Sequence, residues 1–391
     1  MGSSVNHREK DFASPIRAIV FAGGGTGGHL YPGLALSEQI CRIAPSIKTF
    51  FLCSTRSIDA EILSAEHAEF RPIGAEPLQF SPFPRASIQF IQGWRRATSE
   101  TSIELDRLMN EFGGIDRIVV VLMGGFVAPP VARSASKRGI RTLLVNLDVV
   151  PGKANRLAAR WASEVVSAVP CTGPQEFTKA PVLGMPVRAN AVADDGPENC
   201  RARLGLSPDV NTLLVTGASQ GAASLNELML VMVRSERFRR AFDGWQILHL
   251  AGPGREADLL AIYKKKDIPA VVLPFCHSMG DAWGSADLAL SRAGASSVAE
   301  SALNGVPTIF VPYPWHRDEH QKHNAQPIVD HGGGWLVRDE INASANLETI
   351  GCVLSDLLTH SNRRRVAKDR LLEARFPNAA VAMARRVLEL K

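Results

Sequence analysis

The densest concentration of residues able to do chemistry is "GGGTGGHLYPG", residues 23–33. Six small residues stand between an apolar run and an amphipathic one. Such a turn brings backbone N–H groups to a phosphate or diphosphate at the positive end of a helix dipole. His29 follows at the mouth of the turn, with Pro32 where a first helical turn tolerates it. A histidine at a helix N-terminus has its cation disfavoured, so it stays neutral near pH 7 and is free to accept a proton. A tight turn that binds nothing, with a histidine that only caps the helix, fits the same residues.

The turn satisfies G-x-G-x-x-G at Gly23, Gly25 and Gly28, but the second apolar run ends "FFLCSTRS". Ser54 and Thr55 stand where a dinucleotide fold has an acid for the ribose, and no Gly-Lys-Ser/Thr follows, so P-loop hydrolysis is unsupported. A second small-residue turn, "GASQGA", occupies residues 217–222. No D-x-D occurs, so a metal-bridged diphosphate is not indicated. The 6 cysteines include no C-x-x-C pair, which argues against zinc and dithiol sites and for a reducing compartment. Neither metal nor cofactor is expected.

Elements that position these turns follow from periodicity. "RAIVFA", "KTFFLCS", "RIVVVLM", "RTLLVNL" and "EVVSAV" alternate with amphipathic stretches, the pattern of a parallel sheet with crossover helices. The pattern lapses over the Pro-, Asp- and Asn-rich residues 183–209 and resumes with "NTLLVT", "WQILHLAG", "PAVVLPF", "ADLALSR" and "PTIFVPYP". The expected fold class is α/β, as two similar doubly wound halves whose facing strand ends make a cleft. Domain limits are placed at residues 16–182 and 210–372, joined by a linker at 183–209. A disordered leader is expected over 1–15, and a helix over 373–391 is expected to return to the first domain.

At 391 residues, with 45% hydrophobic and 21% charged residues, the chain suits two globular cores. A net charge of +5 favours anionic partners, but no run of five basic residues occurs, so nucleic acid is not expected as a partner. The first fifteen residues lack a signal-peptide apolar region, and no eighteen consecutive apolar residues occur, so a cytosolic or peripheral protein is expected.

Taken together, "GGTGGHLYPGLA", "LMGGFVA", "GMPVR", "GASQGA" with "LNE", "SRAGASSVAESALNGVPTIFVPYP" and "DEHQKHNA" resemble the MurG family, from about Ile16 to the C-terminus. The resemblance implies a GT-B fold, two Rossmann-like doubly wound domains facing across a cleft. It implies inverting transfer of N-acetylglucosamine from UDP-N-acetylglucosamine to a polyprenyl-diphosphate-linked muramoylpentapeptide at the cytoplasmic face of the membrane. Thr26, Gly27 and Gly28 would face the reacting sugar and the acceptor diphosphate, with His29 as candidate base. Ser219 would hold the donor diphosphate. Ala295, Ser296, Ser297, Val298 and Ala299 would form the helix start that approaches the nucleotide. Glu300 would accept from the ribose hydroxyls, the backbone of Cys276 would recognise uracil, and Gln321 and Asn324 would bind sugar hydroxyls. Arg188 would supply a fixed charge at the linker.

Two stretches depart from the family pattern. Where the family has "HEQN", this chain has "VNLD", residues 145–148, so acid and amide trade places at Asn146 and Asp148. Asp148, standing where an amide touches the donor sugar, becomes the alternative base. The acceptor loop, "EPLQFSPFPRASIQFIQGWRRA" at residues 76–97, interleaves Phe80, Phe83, Phe90 and Trp94 with Arg85, Arg95 and Arg96. That mixture suits an anionic membrane surface, and core packing is the other reading of its aromatics. A different acceptor, a UDP-N-acetylglucosamine 2-epimerase-type enzyme and a non-catalytic nucleotide-sugar-binding protein are the competing functions.

Overall fold

The computed structural model describes residues 15–77, 84–217, 221–315 and 319–390, with backbone alone over 84–89. The expected leader therefore lies outside the described residues except for Pro15.

The first sheet comprises β1 (Ala18–Ala22), β2 (Lys48–Ser54), β3 (Phe70–Ile73), β4 (Ile118–Leu122), β5 (Arg141–Asn146) and β6 (Glu164–Ser167), in the order β3-β2-β1-β4-β5-β6. The second comprises β7 (Asn211–Thr216), β8 (Trp245–Leu250), β9 (Ala270–Leu273), β10 (Leu288–Ser291), β11 (Thr308–Phe310) and β12 (Gly334–Leu336), in the order β12-β11-β10-β7-β8-β9. Every pairing is parallel. Counted from the first strand of each half, the two orders are the same. Central strands such as "AIVFA" and "IVVVL" are buried along their whole length, as sheets covered by helices on both faces require. In each half the strand order reverses between the first and fourth strands, and ligands bind outside the carboxyl ends there.

The apolar runs of the sequence give five strands per half, whereas each sheet has a sixth. β3 carries Pro72 and β12 spans 3 residues. Both are edges, where a missing donor or a short pairing costs least. The linker region contains the helix Pro197–Arg203, which packs on the helix Met279–Ser285 of the second domain. From Pro84 onward the supposed acceptor loop is the first part of a 29-residue helix, Pro84–Phe112.

The C-terminal helix Ala380–Leu388 lies against the helix Gly27–Ile43. It inserts Met383, Ala384, Val387 and Leu388 into the same apolar cluster as Ile19, Phe21 and Val121. Asn378 ties the chain back by accepting from Val187 N at 3.1 Å and donating to Val187 O at 2.8 Å. Ala295, Ala299 and Leu303 of the second domain also pack on this cluster, so the helix Ala295–Leu303 touches the first domain directly.

Candidate active site between the two sheets

The first glycine turn is pinned from behind by Asp59, fully buried on the helix Ser57–Ala65. Its carboxylate accepts from Gly25 N at 2.8 and 3.0 Å and from Ser54 N at 3.0 Å and Oγ at 2.6 Å. A dinucleotide fold aims an acid near this point at a ligand; here the acid points inward and sets the loop. A Cβ on Gly24 would come within 2.3 Å of Asp59 Oδ2, so only glycine fits there. Arg56 closes the turn by donating from Nη1 to Gly25 O at 2.9 Å.

His29 enters the cleft one turn into the helix Gly27–Ile43, whose N-cap Thr26 makes no side-chain capping bond. Its Nδ1 lies 3.3 Å from Thr26 Oγ1. Gly124 and Gly125, both at positive φ, press against the ring: added Cβ atoms would meet His29 Cδ2 at 3.0 Å and Nδ1 at 3.2 Å. Burial pushes the imidazolium well below the ordinary histidine range. The charges of Asp148 and Asp59 and the Gly24 carbonyl oppose that shift, while His320 adds to it.

Exchange of acid and amide in "VNLD" gives each residue a distinct setting. Asn146 is fully buried at the end of β5, accepting from Asn155 Nδ2 at 3.1 Å and donating to Asp148 O at 2.7 Å and Ser167 Oγ at 3.2 Å. A carboxylate at this position could make none of the donated bonds. Asp148 lies at the cleft, and its Oδ1 accepts from Asn324 Nδ2 of the second domain at 2.8 Å.

On the facing domain, the helix Ala295–Leu303 begins at Gly294 with no side-chain cap, leaving its first N–H groups directed at the cleft. Ser296 Oγ is buried there without a hydrogen-bond partner. Glu300 Oε2 accepts from Trp283 Nε1 at 2.8 Å, and burial raises the Glu300 pKa to about 7, against the indole bond and the charge of Arg188. Cys276 is buried, its thiol donating to Ser278 O at 3.3 Å, and burial raises the thiol's pKa. Gln321 Oε1 accepts from Tyr313 N at 2.8 Å.

Between the domains lies a cleft of about 930 Å³, within the range of small-molecule sites. Thr26, Gly27, Gly28, His29, Asp148, Arg188, Cys276, Ala295, Ser296, Ser297, Glu300 and Gln321 all line it. Three expected site residues stand elsewhere. Val298 belongs to a cluster with Phe310 and Ala325, Ala299 packs on the first domain, and Asn324 is buried with its amide spent on Asp148 and on Val149 N at 3.3 Å. Ser219 lies outside the described residues. Arg188 reaches the cleft, but its guanidinium is neutralised by Glu38 at 2.7 Å and by both oxygens of Glu66 at 2.6 Å. Its charge thus fastens the linker to the first domain.

Asp59 escaped the sequence reading because its use is internal. Arg292, Ser224 and Asp339 also line the cleft unanticipated. Arg292 pairs with Asp339 at 2.9 Å and donates to Ser224 Oγ at 2.8 Å. Asp339 Oδ1 also accepts from the backbone N of Ile341 at 2.8 Å, holding that β-branched residue at φ 59°. Arg292 stands inside the quoted "SRAGASSVAE", but nothing in the local sequence pairs it with Asp339.

Twin sheets of one topology, with a glycine turn and a histidine on one side of a cleft and an open helix start with a carboxylate on the other, define a protein of the GT-B architecture. The glycosyltransferase family 28 N-terminal domain matches residues 19–167 and the family 28 C-terminal domain matches residues 212–382. The chain is 33% identical, over 100% of its length and 94% of the relative's, to the UDP-N-acetylglucosamine--N-acetylmuramyl-(pentapeptide) pyrophosphoryl-undecaprenol N-acetylglucosamine transferase of Mycobacterium ulcerans. It is 35% identical to the protein of that name from a Nocardioides species, covering 82% of this chain and 84% of that one. The crystal structure of Acinetobacter baumannii MurG shares the fold with a TM-score of 0.67 at 24% identity, covering 95% of this chain and 99% of that one. The chain belongs to the MurG family.

Proposed function

We propose that this chain moves N-acetylglucosamine from UDP-N-acetylglucosamine to a muramoylpentapeptide carried on a polyprenyl diphosphate, inverting the anomeric carbon in one displacement. The observation that carries the reading is the facing of His29 and the open start of the helix Ala295–Leu303 across one cleft. The donor diphosphate takes the N–H groups of Ala295, Ser296 and Ser297 and the unpartnered Ser296 hydroxyl, and the positive helix end stabilises the charge that grows on departing UDP. Glu300 accepts from the ribose hydroxyls, and Gln321 keeps its amide N–H groups for the sugar.

The acceptor hydroxyl gives its proton to His29, which burial keeps neutral beforehand. Asp148, tied through Oδ1 to Asn324, serves as counter-ion to the imidazolium that forms rather than as the base. Release of UDP measured with and without the lipid-linked acceptor tests the assignment. Release that ignores the acceptor sinks it, and conversion of the donor to its 2-epimer would instead favour the epimerase-type reading.

The same reading puts the protein on the cytoplasmic face of an anionic membrane, through the first domain. Among the described residues no helix is long and apolar enough to cross a membrane. Arg95 and Ile91 are exposed on the helix Pro84–Phe112, whereas Trp94 rests on Phe90 and Trp161, with 6.1 Å between ring centroids in each pair. Arg96 is held by Glu100 at 2.8 Å. Phe80, Phe83 and the side chain of Arg85 lie outside the described residues.

A further inference from the structure

Asn324 stands on the helix His320–Asp330 of the second domain, yet both ends of its amide are engaged by the first. Nδ2 donates to Asp148 Oδ1 at 2.8 Å, and Oδ1 accepts from Val149 N at 3.3 Å. The residue is 7% exposed and does not line the cleft. Asp148 lines the same cleft as His29 and its charge bears on the imidazole, and its backbone carbonyl is fixed from below by Asn146 at 2.7 Å. Asp148 is therefore held by two domains at once: its main chain by the first, its side chain by the second.

We propose that Asn324 is a positioning residue that acts through Asp148, fixing the orientation of that carboxylate in the cleft that His29 also lines only when the two domains are together. The inference rests on the assignment of His29 as base and adds an interdomain device to it. The "VNLD" exchange is what makes the device possible. With an amide at position 148 the contact with Asn324 would carry no net charge, and with an acid at position 146 the charge would lie in the buried network beneath Asp148, out of reach of Asn324.

The charged groups bearing on His29 are Asp148 and Asp59, which favour its cation, and His320, at the start of the helix that carries Asn324, which opposes it. Of the two acids, Asp59 is locked to the glycine turn within the first domain. Asp148 alone is bonded across the cleft. Separation of the domains removes the partner that aims it.

The test uses the full chain. Histidine labelled with 15N reports the titration of His29 in the ligand-free protein, with assignment from His29→Gln. In Asn324→Leu, which keeps volume but removes both bonds, the His29 midpoint is expected to fall by roughly one pH unit, the size of a displaced opposite charge. The acidic limb of kcat should move the same way, with a drop in plateau kcat of roughly tenfold, part of the ~10²–10⁴ a general base supplies. UDP affinity should stay within about twofold, since a hydrogen bond to a charged group lost from the nucleotide would cost more. The exchanged pair Asp148→Asn with Asn324→Asp restores an amide–carboxylate bond between the domains but moves the charge to the other side. It should recover thermal stability without recovering the titration.

A His29 midpoint unchanged in Asn324→Leu, or restored in the exchanged pair, overturns the proposal. Because the titration is read without substrate, an inactive wild type would count against the transferase assignment and leave this outcome readable.

Discussion

Glu300 meets the cleft with one oxygen already bonded to the Trp283 indole at 2.8 Å and with a pKa raised to about 7. Ribose hydroxyls donating to it favour the charged form and pull that value down, so UDP binding near neutrality releases a proton. Affinity should therefore rise between about pH 6 and 8, and calorimetry in buffers of different ionisation enthalpy should register the proton. Glu300→Ala is expected to lose both the proton release and about 1–3 kcal/mol of UDP affinity; unchanged affinity removes Glu300 from the site. In the ligand-free protein the sign is opposite. The folded chain keeps a proton that the unfolded chain has released, so this group's stabilisation is full below the ordinary glutamate value and is lost as pH rises through about 7. His29→Ala should lower kcat by about 10²–10⁴-fold while leaving UDP affinity unchanged, because the base acts in the transition state. With the cation disfavoured, the acidic limb of the wild-type kcat/KM profile should lie below the ordinary histidine value. A loss of kcat within about threefold, far short of a lost base, rules the imidazole out of that role.

Among elements, the helix Pro84–Phe112 separates two readings that its composition left together. Trp94 is clamped between Phe90 and Trp161, with Arg133 over the Trp94 and Trp161 rings at 6.0 and 5.9 Å. Trp94→Ser should consequently lower Tm. Ile91→Ser with Arg95→Glu, both on the exposed side, should leave Tm unchanged and weaken sedimentation with anionic vesicles, by about 1 kcal/mol for each basic residue removed from the surface. Binding that persists in that variant places the membrane contact elsewhere. Alternation of aromatic and basic residues was legible in the sequence, but which rings face inward depends on Trp161, far along the chain. The glycine turn behaves similarly. Its shape follows from the local sequence, whereas the use of Asp59 as its clasp requires β2 and the helix Ser57–Ala65 to fold beneath it.

At the scale of the molecule, the C-terminal helix completes the core of the first domain although it follows the second in sequence. Removing residues 380–391 uncovers that core, at about 1.5–3 kcal/mol for each fully buried Met, Val or Leu lost. Thermal denaturation of the truncated chain should show an early transition from the first domain, while the transition that UDP stabilises stays in place. A single transition shifted as a whole would mean that the two domains unfold as one unit.

Periodicity and turn chemistry are local properties, and they determined the α/β class, the duplicated halves and the first glycine turn, because apolar alternation and small residues act through near neighbours in the chain. Two of the four edge strands, β3 and β12, escaped that reading, since three or four residues with a proline or glycine carry too little pattern. Tertiary structure alone decided what the charged and amide side chains do. Arg188 meets Glu38 and Glu66 across separations of 150 and 122 residues, and Asp148 meets Asn324 across 176. The sequence shows that such groups exist; the partner each one finds depends on which sheet ends and helix faces packing brings together, because a hydrogen bond or ion pair acts only over a few ångströms.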